Sequence, residues 1–148
     1  MIYTFHKKII LDLGGSIVFP DKINLNFLKR FRILIKRHIY KYQRKFIIIV
    51  GGGQPARDYQ AAASKLGVHG ALEKDWIGIQ TTRTNAYLLK AIFGKLADPM
   101  VLDERYKRKA VKFPITIACG WKPGCSTDYD AVLLAQDFKI AEIVILGK

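Results

Sequence analysis

Three short apolar runs in this chain stop at glycine, and no other feature constrains its fold as much. Residues 8–13 end in Gly14-Gly15, residues 46–50 in Gly51-Gly52-Gly53, and residues 115–119 in Gly120. A nearly continuous apolar run is the pattern of a strand covered on both faces. The segments between the runs have helical periodicity. Helices are predicted over about 24–42, 54–66, 72–96 and 128–138, with a last strand over 141–146 and a further short one at 100–102. Strand and helix in alternation imply an α/β chain, a three-layer αβα sandwich with a mainly parallel sheet, forming one domain over residues 1–148. Ligands of such sheets bind at the carboxyl ends of the strands, so three glycine-bearing ends point to one site.

The helix over 24–42 carries much of the charge. The chain has 25 Lys and Arg against 12 Asp and Glu, a formal charge of +13. Such an excess is expected of nucleic-acid binders. Its placement favours another account. Leu28, Phe31, Ile35, Ile39 and Tyr42 form one helical stripe, while Arg30, Arg37, Lys41 and Arg44 fall on another face. That is a solvated outer face over a sheet, with no aromatic interleaving of the kind that stacks bases, so nucleic acid is not the expected partner.

Several classes are excluded. Half of the residues are hydrophobic, enough for a core, which rules out disorder. No apolar run approaches the roughly 20 residues of a membrane span. The stretch Met1–Lys8 and the run after it, which contains Asp12, do not form an export signal. Cys119 and Cys125 form no CxxC and read as reduced cytosolic thiols, so a cytoplasmic location is expected. His6, His38 and His69 are isolated, which argues against a zinc site, and no metal ligands are assigned.

The chemistry is expected at the strand ends. Glycine lets backbone N–H groups approach an anion, and the helix after Gly53 directs its positive end to the same place. Arg57 adds a fork suited to phosphate. In the third loop, Ser126 or Thr127 is placed to cap the next helix, and Thr127 with Asp130 has capping-box spacing. The GxxxxGK[ST] motif is absent, and Gly51-Gly52-Gly53-Gln54-Pro55-Ala56 lacks the third glycine of a dinucleotide fingerprint.

These residues resemble the amino-acid kinase superfamily, and within it the uridylate (UMP) kinases. The resemblance rests on Ile9-Ile-Leu-Asp-Leu-Gly-Gly-Ser16, on Ile48-Ile-Val-Gly-Gly-Gly-Gln-Pro-Ala-Arg57 and, most strongly, on the stretch from Gly120 to Ala135. It implies ATP-dependent phosphorylation of UMP to UDP in pyrimidine biosynthesis. Gly52 and the loop Gly120, Trp121, Lys122, Pro123, Gly124, Cys125, Ser126 and Thr127 would hold UMP, with Asp75 on its ribose. Gly14, Gly15, Gly53 and Arg57 would surround the ATP phosphates, with Mg²⁺ and cationic donors neutralising charge. The family also forms hexamers through its long helices, so a homo-oligomer is expected. The polar patch at 81–85 belongs to that interface, to the nucleotide site, or to an exposed helix face.

Two departures stand beside the resemblance. The family commonly carries Lys at the position of Asp12, the catalytic place beside the transferring phosphate that the resemblance also gives to Arg57. An Asp there reverses the local charge. Another cation such as Lys122 compensates, or Asp12 faces away or helps hold a metal, or transfer is weak. The family also continues past Leu146 into a half that binds adenine and ribose, so residues 1–148 match the acceptor-binding portion. A non-catalytic nucleotide-binding or oligomerising module, or a family enzyme with another acceptor, remains the alternative.

Overall fold

The computed structural model describes residues 7–147. Met1–His6, with the start of the stretch read for an export signal, and Lys148 lie outside the described residues. The elements run β1 (Lys7–Leu13), α1 (Gly15–Val18), α2 (Leu25–Tyr42), β2 (Arg44–Val50), α3 (Gly53–Lys65), α4 (Ala71–Phe93), β3 (Ile115–Ala118), α5 (Thr127–Phe138) and β4 (Ile143–Leu146). The four strands form one parallel sheet in the order β3-β2-β1-β4. Among the described residues, no helix is long and apolar enough to cross a membrane.

The apolar runs become strands because both faces are covered. Ile9, Leu11, Leu13, Ile48, Val50 and Ile117 pack with Leu28, Phe31, Ile35 and Ile39 of α2 and with Ala86, Leu89 and Phe93 of α4. Ile10, Ile47, Ile49 and Ala118 pack on the other face with Ala131, Leu134 and Ala135 of α5. Alternation along β1 therefore turns Asp12 toward α5, between Ile49 of β2 and Ile145 of β4 in the register.

Four expectations need correcting. Tyr42 leaves the α2 stripe: it is exposed, and Lys41 and Arg44 lie over its ring. The long helix stops at Phe93, because Gly94 has φ 56° and begins a 3-10 turn, Gly94–Leu96. No strand forms at 100–102. Asp98 accepts from the Met100 amide at 2.9 Å and pairs with Arg108, leaving only an isolated bridge between Leu102 and Ala118. The last strand begins at Ile143 rather than 141. α1 is a single turn that periodicity could not show.

Candidate functional site

The first two glycine loops meet each other before they meet any ligand. A Cβ on Gly15 would lie 2.2 Å from the Gly53 nitrogen, and Gly53 has φ 71°. The Gly51 amide donates to the Leu13 carbonyl at 3.0 Å. The backbones of β1 and β2 thus touch at their carboxyl ends, and side chains there would force them apart. Packing alone accounts for Gly15 and Gly53.

The ligand-sized space lies one layer over, between α3, α4 and the third loop. Gly51, Gly52, Ala56, Gln60, Asp75, Gly78, Ile79, Thr82, Gly120, Lys122, Cys125 and Thr127 line a cavity of about 220 Å³. A neighbouring hollow of about 390 Å³ shares Gln60 and Asp75 with it. A larger hollow, about 720 Å³, lies along α2 and Leu146, but it shares none of these glycines and is mostly apolar. The convergent polar groups mark the smaller cavity as the candidate site.

Hydrogen bonds hold its walls. Asn85 Nδ2 donates to the carbonyls of Gly51 (2.9 Å) and Gly52 (3.1 Å). Thr82 Oγ1 accepts from the Gly120 amide at 3.0 Å and donates to the Ile79 carbonyl at 2.7 Å. Gln60 Nε2 donates to the Lys74 carbonyl at 2.9 Å, and Asp75 Oδ2 accepts from the Gly124 amide at 2.8 Å. One helix, α4, therefore fixes both the second and the third glycine loop. Replacing Thr82 with Val is expected to strand the buried Gly120 amide and destabilise the protein by about 1–3 kcal/mol in urea unfolding.

Beyond the first loop lies an acidic cluster. Asp12 is 1% exposed and Asp130 0% exposed, and no basic, amide or hydroxyl donor reaches their four carboxylate oxygens, Asp12 having only the carboxyl of Asp128 within hydrogen-bond reach. Burial, then the adjacent Asp128 carboxyl, then the charge of Asp130 push Asp12 up to about 7. Burial alone pushes Asp130 up to about 6. Cys119 is a different case: its thiol is sealed in the core and pushed up to about 11 by burial, so it is inert.

The model of the amino acid kinase family matches residues 7–148. The chain belongs to the amino acid kinase family. A uridylate kinase from Pyrococcus abyssi is 33% identical over 141 residues, 94% of this chain and 61% of that protein. One from Methanoregula boonei is 38% identical over 134 residues, 88% and 55% respectively. The crystal structure of uridylate kinase from Archaeoglobus fulgidus superposes with a TM-score of 0.80 at 29% identity, covering 95% of this chain and 63% of that one. The chain thus spans about three-fifths of the length of these relatives.

Within this family member the structure redistributes the expected site residues. Gly52, Asp75, Gly120, Lys122, Cys125 and Thr127 come together at the cavity. Trp121 instead packs against the α5-side core, and Arg57 is exposed, its Nε and Nη2 donating to Gln54 Oε1 at 3.1 and 2.9 Å. Neither lines the cavity. Ser126, not Thr127, caps α5, accepting from the Tyr129 amide at 3.2 Å. The expected Thr127–Asp130 capping box does not form, because the third residue after the Ser126 cap is Tyr129, whose side chain cannot return the bond. Thr127 is left for the cavity, and Asp130 turns inward. Lys122 lines the cavity with the third loop, whereas Asp12 does not.

The polar patch at 81–85 also resolves. Thr82 and Asn85 are buried wall-builders rather than an exposed face. Sequence reasoning missed these two as site residues, together with Gln60 and Gly78. The available signal was two polar residues beside the apolar stripe Ile79, Ala86, Leu89 and Phe93. A polar side chain buried beside such a stripe needs a partner, and here the partners are the loop backbones.

Proposed function

We propose that the cavity binds UMP, and that the chain serves ATP-dependent phosphorylation of UMP to UDP, a step of pyrimidine nucleotide biosynthesis in the cytoplasm. The observation that carries this reading is the convergence of Asp75, Gln60, Lys122 and Thr127 on one cavity whose glycine walls come from two strand ends. The uridylate kinase relatives support the choice of acceptor. In this reading the free oxygen of Asp75 accepts from a ribose hydroxyl while its Oδ2 keeps the third loop closed. Thr127 and the N-terminus of α5 take the acceptor phosphate, and Lys122 offsets its charge.

The donor would lie against Gly14, Gly15, Gly53 and Arg57. Its divalent cation supplies charge neutralisation when bound, and the unpartnered oxygens of Asp12 next to Asp128 fit such a group. Oligomer contacts fit the outer side of α4, where Ile77, Gln80 and Thr84 border an apolar hollow with Phe19, Pro55 and Tyr59.

Isothermal titration with UMP tests the reading. Asp75→Ala is expected to weaken UMP at least about tenfold, since it removes both the ribose acceptor and the loop tether. Equal affinity in the variant, or no UMP binding by the parent, would end the assignment. A second reading, a nucleotide-binding module without transfer, is favoured by the carboxylate of Asp12 beside the first glycine loop, where the resemblance implies a lysine. UMP-dependent release of ADP by the 148-residue chain would exclude it.

A further inference from the structure

The outer side of α2 carries a charge that the candidate site does not use. No Asp or Glu occurs between Asp21 and Asp58, whereas residues 25–45 hold eight Lys and Arg. Arg32 with Lys36, and Arg37 with Lys41, are like charges one turn apart, an arrangement that weakens a helix. Among the described residues, no acidic side chain forms an ion pair with a basic side chain of α2. The pattern continues past the helix. In the register of β1 with β2, Lys7 stands opposite Arg44 and Lys8 opposite Lys45, two cross-strand pairs of like charge. Burial, and then the charge of Lys8, hold the Lys45 ammonium below its usual range. Apolar side chains stand in the middle of this charge. Ile33 is 68% exposed and Tyr40 62% exposed. Seven residues apart, they share a line on the helix, facing away from the buried stripe of Leu28, Phe31, Ile35 and Ile39. Lys29 and Arg30 lie one turn before Ile33, and Lys36 and Arg37 one turn after it.

We propose that the outer face of α2, together with the amino ends of β1 and β2, docks the protein on an anionic lipid surface, with Ile33 and Tyr40 entering the headgroup layer. Charge complementarity selects an anionic partner: the face is about 27 Å long, basic throughout and without an acid of its own. The apolar pair selects lipid among the anionic partners. A bilayer boundary accepts an isoleucine and a tyrosine ring while Lys and Arg stay at the phosphates, whereas a row of nucleic-acid phosphates offers Ile33 no apolar contact. The nearby Tyr42 ring is not free for base stacking, since Lys41 and Arg44 each lie over it at 5.4 Å and His38 lies 5.2 Å away. A second copy of this chain would bring the same positive charge to the face and is disfavoured. The contact is peripheral, because none of the described helices is long and apolar enough to cross a membrane. Docking leaves the catalytic end open: α2 lines no part of the candidate cavity, and the amino ends of the strands lie across the sheet from the glycine loops.

The test contains no UMP or ATP, so its failure leaves the acceptor reading standing. The full chain is sedimented with vesicles of phosphatidylglycerol and phosphatidylcholine in equal parts, and with vesicles of phosphatidylcholine alone. The anionic vesicles are expected to bind at least about tenfold more strongly in about 0.1 M NaCl, a preference that about 1 M NaCl removes. Each basic side chain near an anionic leaflet contributes about fivefold to partitioning, so Arg30→Gln with Arg37→Gln should weaken binding by about tenfold or more. Ile33→Gln keeps every charge and should still weaken vesicle binding at least about threefold. All three positions are exposed, so the variants should unfold at the parent's temperature. Equal binding to the two kinds of vesicle would overturn the proposal, as would an Ile33→Gln variant that binds anionic vesicles like the parent. A duplex DNA of about 20 bp, titrated in the same buffer, separates the other polyanion. Binding to the duplex that exceeds binding to the vesicles and ignores Ile33→Gln would assign the face to nucleic acid and overturn the lipid reading.

Discussion

Gly15→Ala is expected to destabilise the protein by about 3 kcal/mol or more and to abolish a two-state urea transition at the parent's midpoint. The added methyl would stand 2.2 Å from the Gly53 nitrogen, 2.5 Å from the Gly51 carbonyl carbon and 2.7 Å from the Gly52 nitrogen. All three are backbone atoms, so no flexible side chain can yield. Relief requires the carboxyl ends of β1 and β2 to separate, which breaks the 3.0 Å bond from the Gly51 amide to Leu13. Gly70→Ala provides the contrast. Its methyl meets only the carboxylate end of Glu73, which can swing away, so a loss under about 1 kcal/mol is expected. Similar losses in the two variants would mean that the loops do not touch as described.

The second large effect is expected at Asn85, which is 4% exposed. Asn85→Ala strands the buried Gly51 carbonyl and frees the half-buried Gly52 carbonyl, at about 2 kcal/mol for the two lost bonds. Asn85→Asp is worse, because it aims a buried negative charge at two carbonyl oxygens. Both variants should weaken UMP more than global unfolding accounts for, because Gly52 lines the cavity. Equilibrium unfolding and titration on the same samples separate the two effects. A variant as stable as the parent would remove α4 from its role as the brace of the second loop.

The architecture was legible because apolar runs without alternation have few folded solutions. Ile9–Leu13 and Phe46–Val50 could be little other than central parallel strands, and their order fixed where the glycine loops converge. What the sequence left open was direction. Gly15 and Gly53 read as ligand cradles, and the structure adds that their backbones pack on each other, a contact that spacing does not show. Arg57 had the right chemistry in the right loop, yet its guanidinium lies on Gln54. Thr82 and Asn85 were visible as a polar patch, but their partners are backbone atoms 33 to 38 residues away, a distance that local pattern does not encode. The inward turn of Asp12 follows from strand alternation. Its lack of a partner needed the packed third layer.

The central claim, that the cavity between α3, α4 and the third loop holds a nucleoside monophosphate, is tested most directly by mapping amide shifts in a ¹⁵N–¹H NMR titration with UMP. The account predicts saturable shifts concentrated at Gly52, Gln60, Gly78, Gly120, Gly124 and Thr127, with α2 unmoved. Shifts centred on Arg30, Leu34 and Arg37 along α2, or no shifts at saturating UMP, would contradict it.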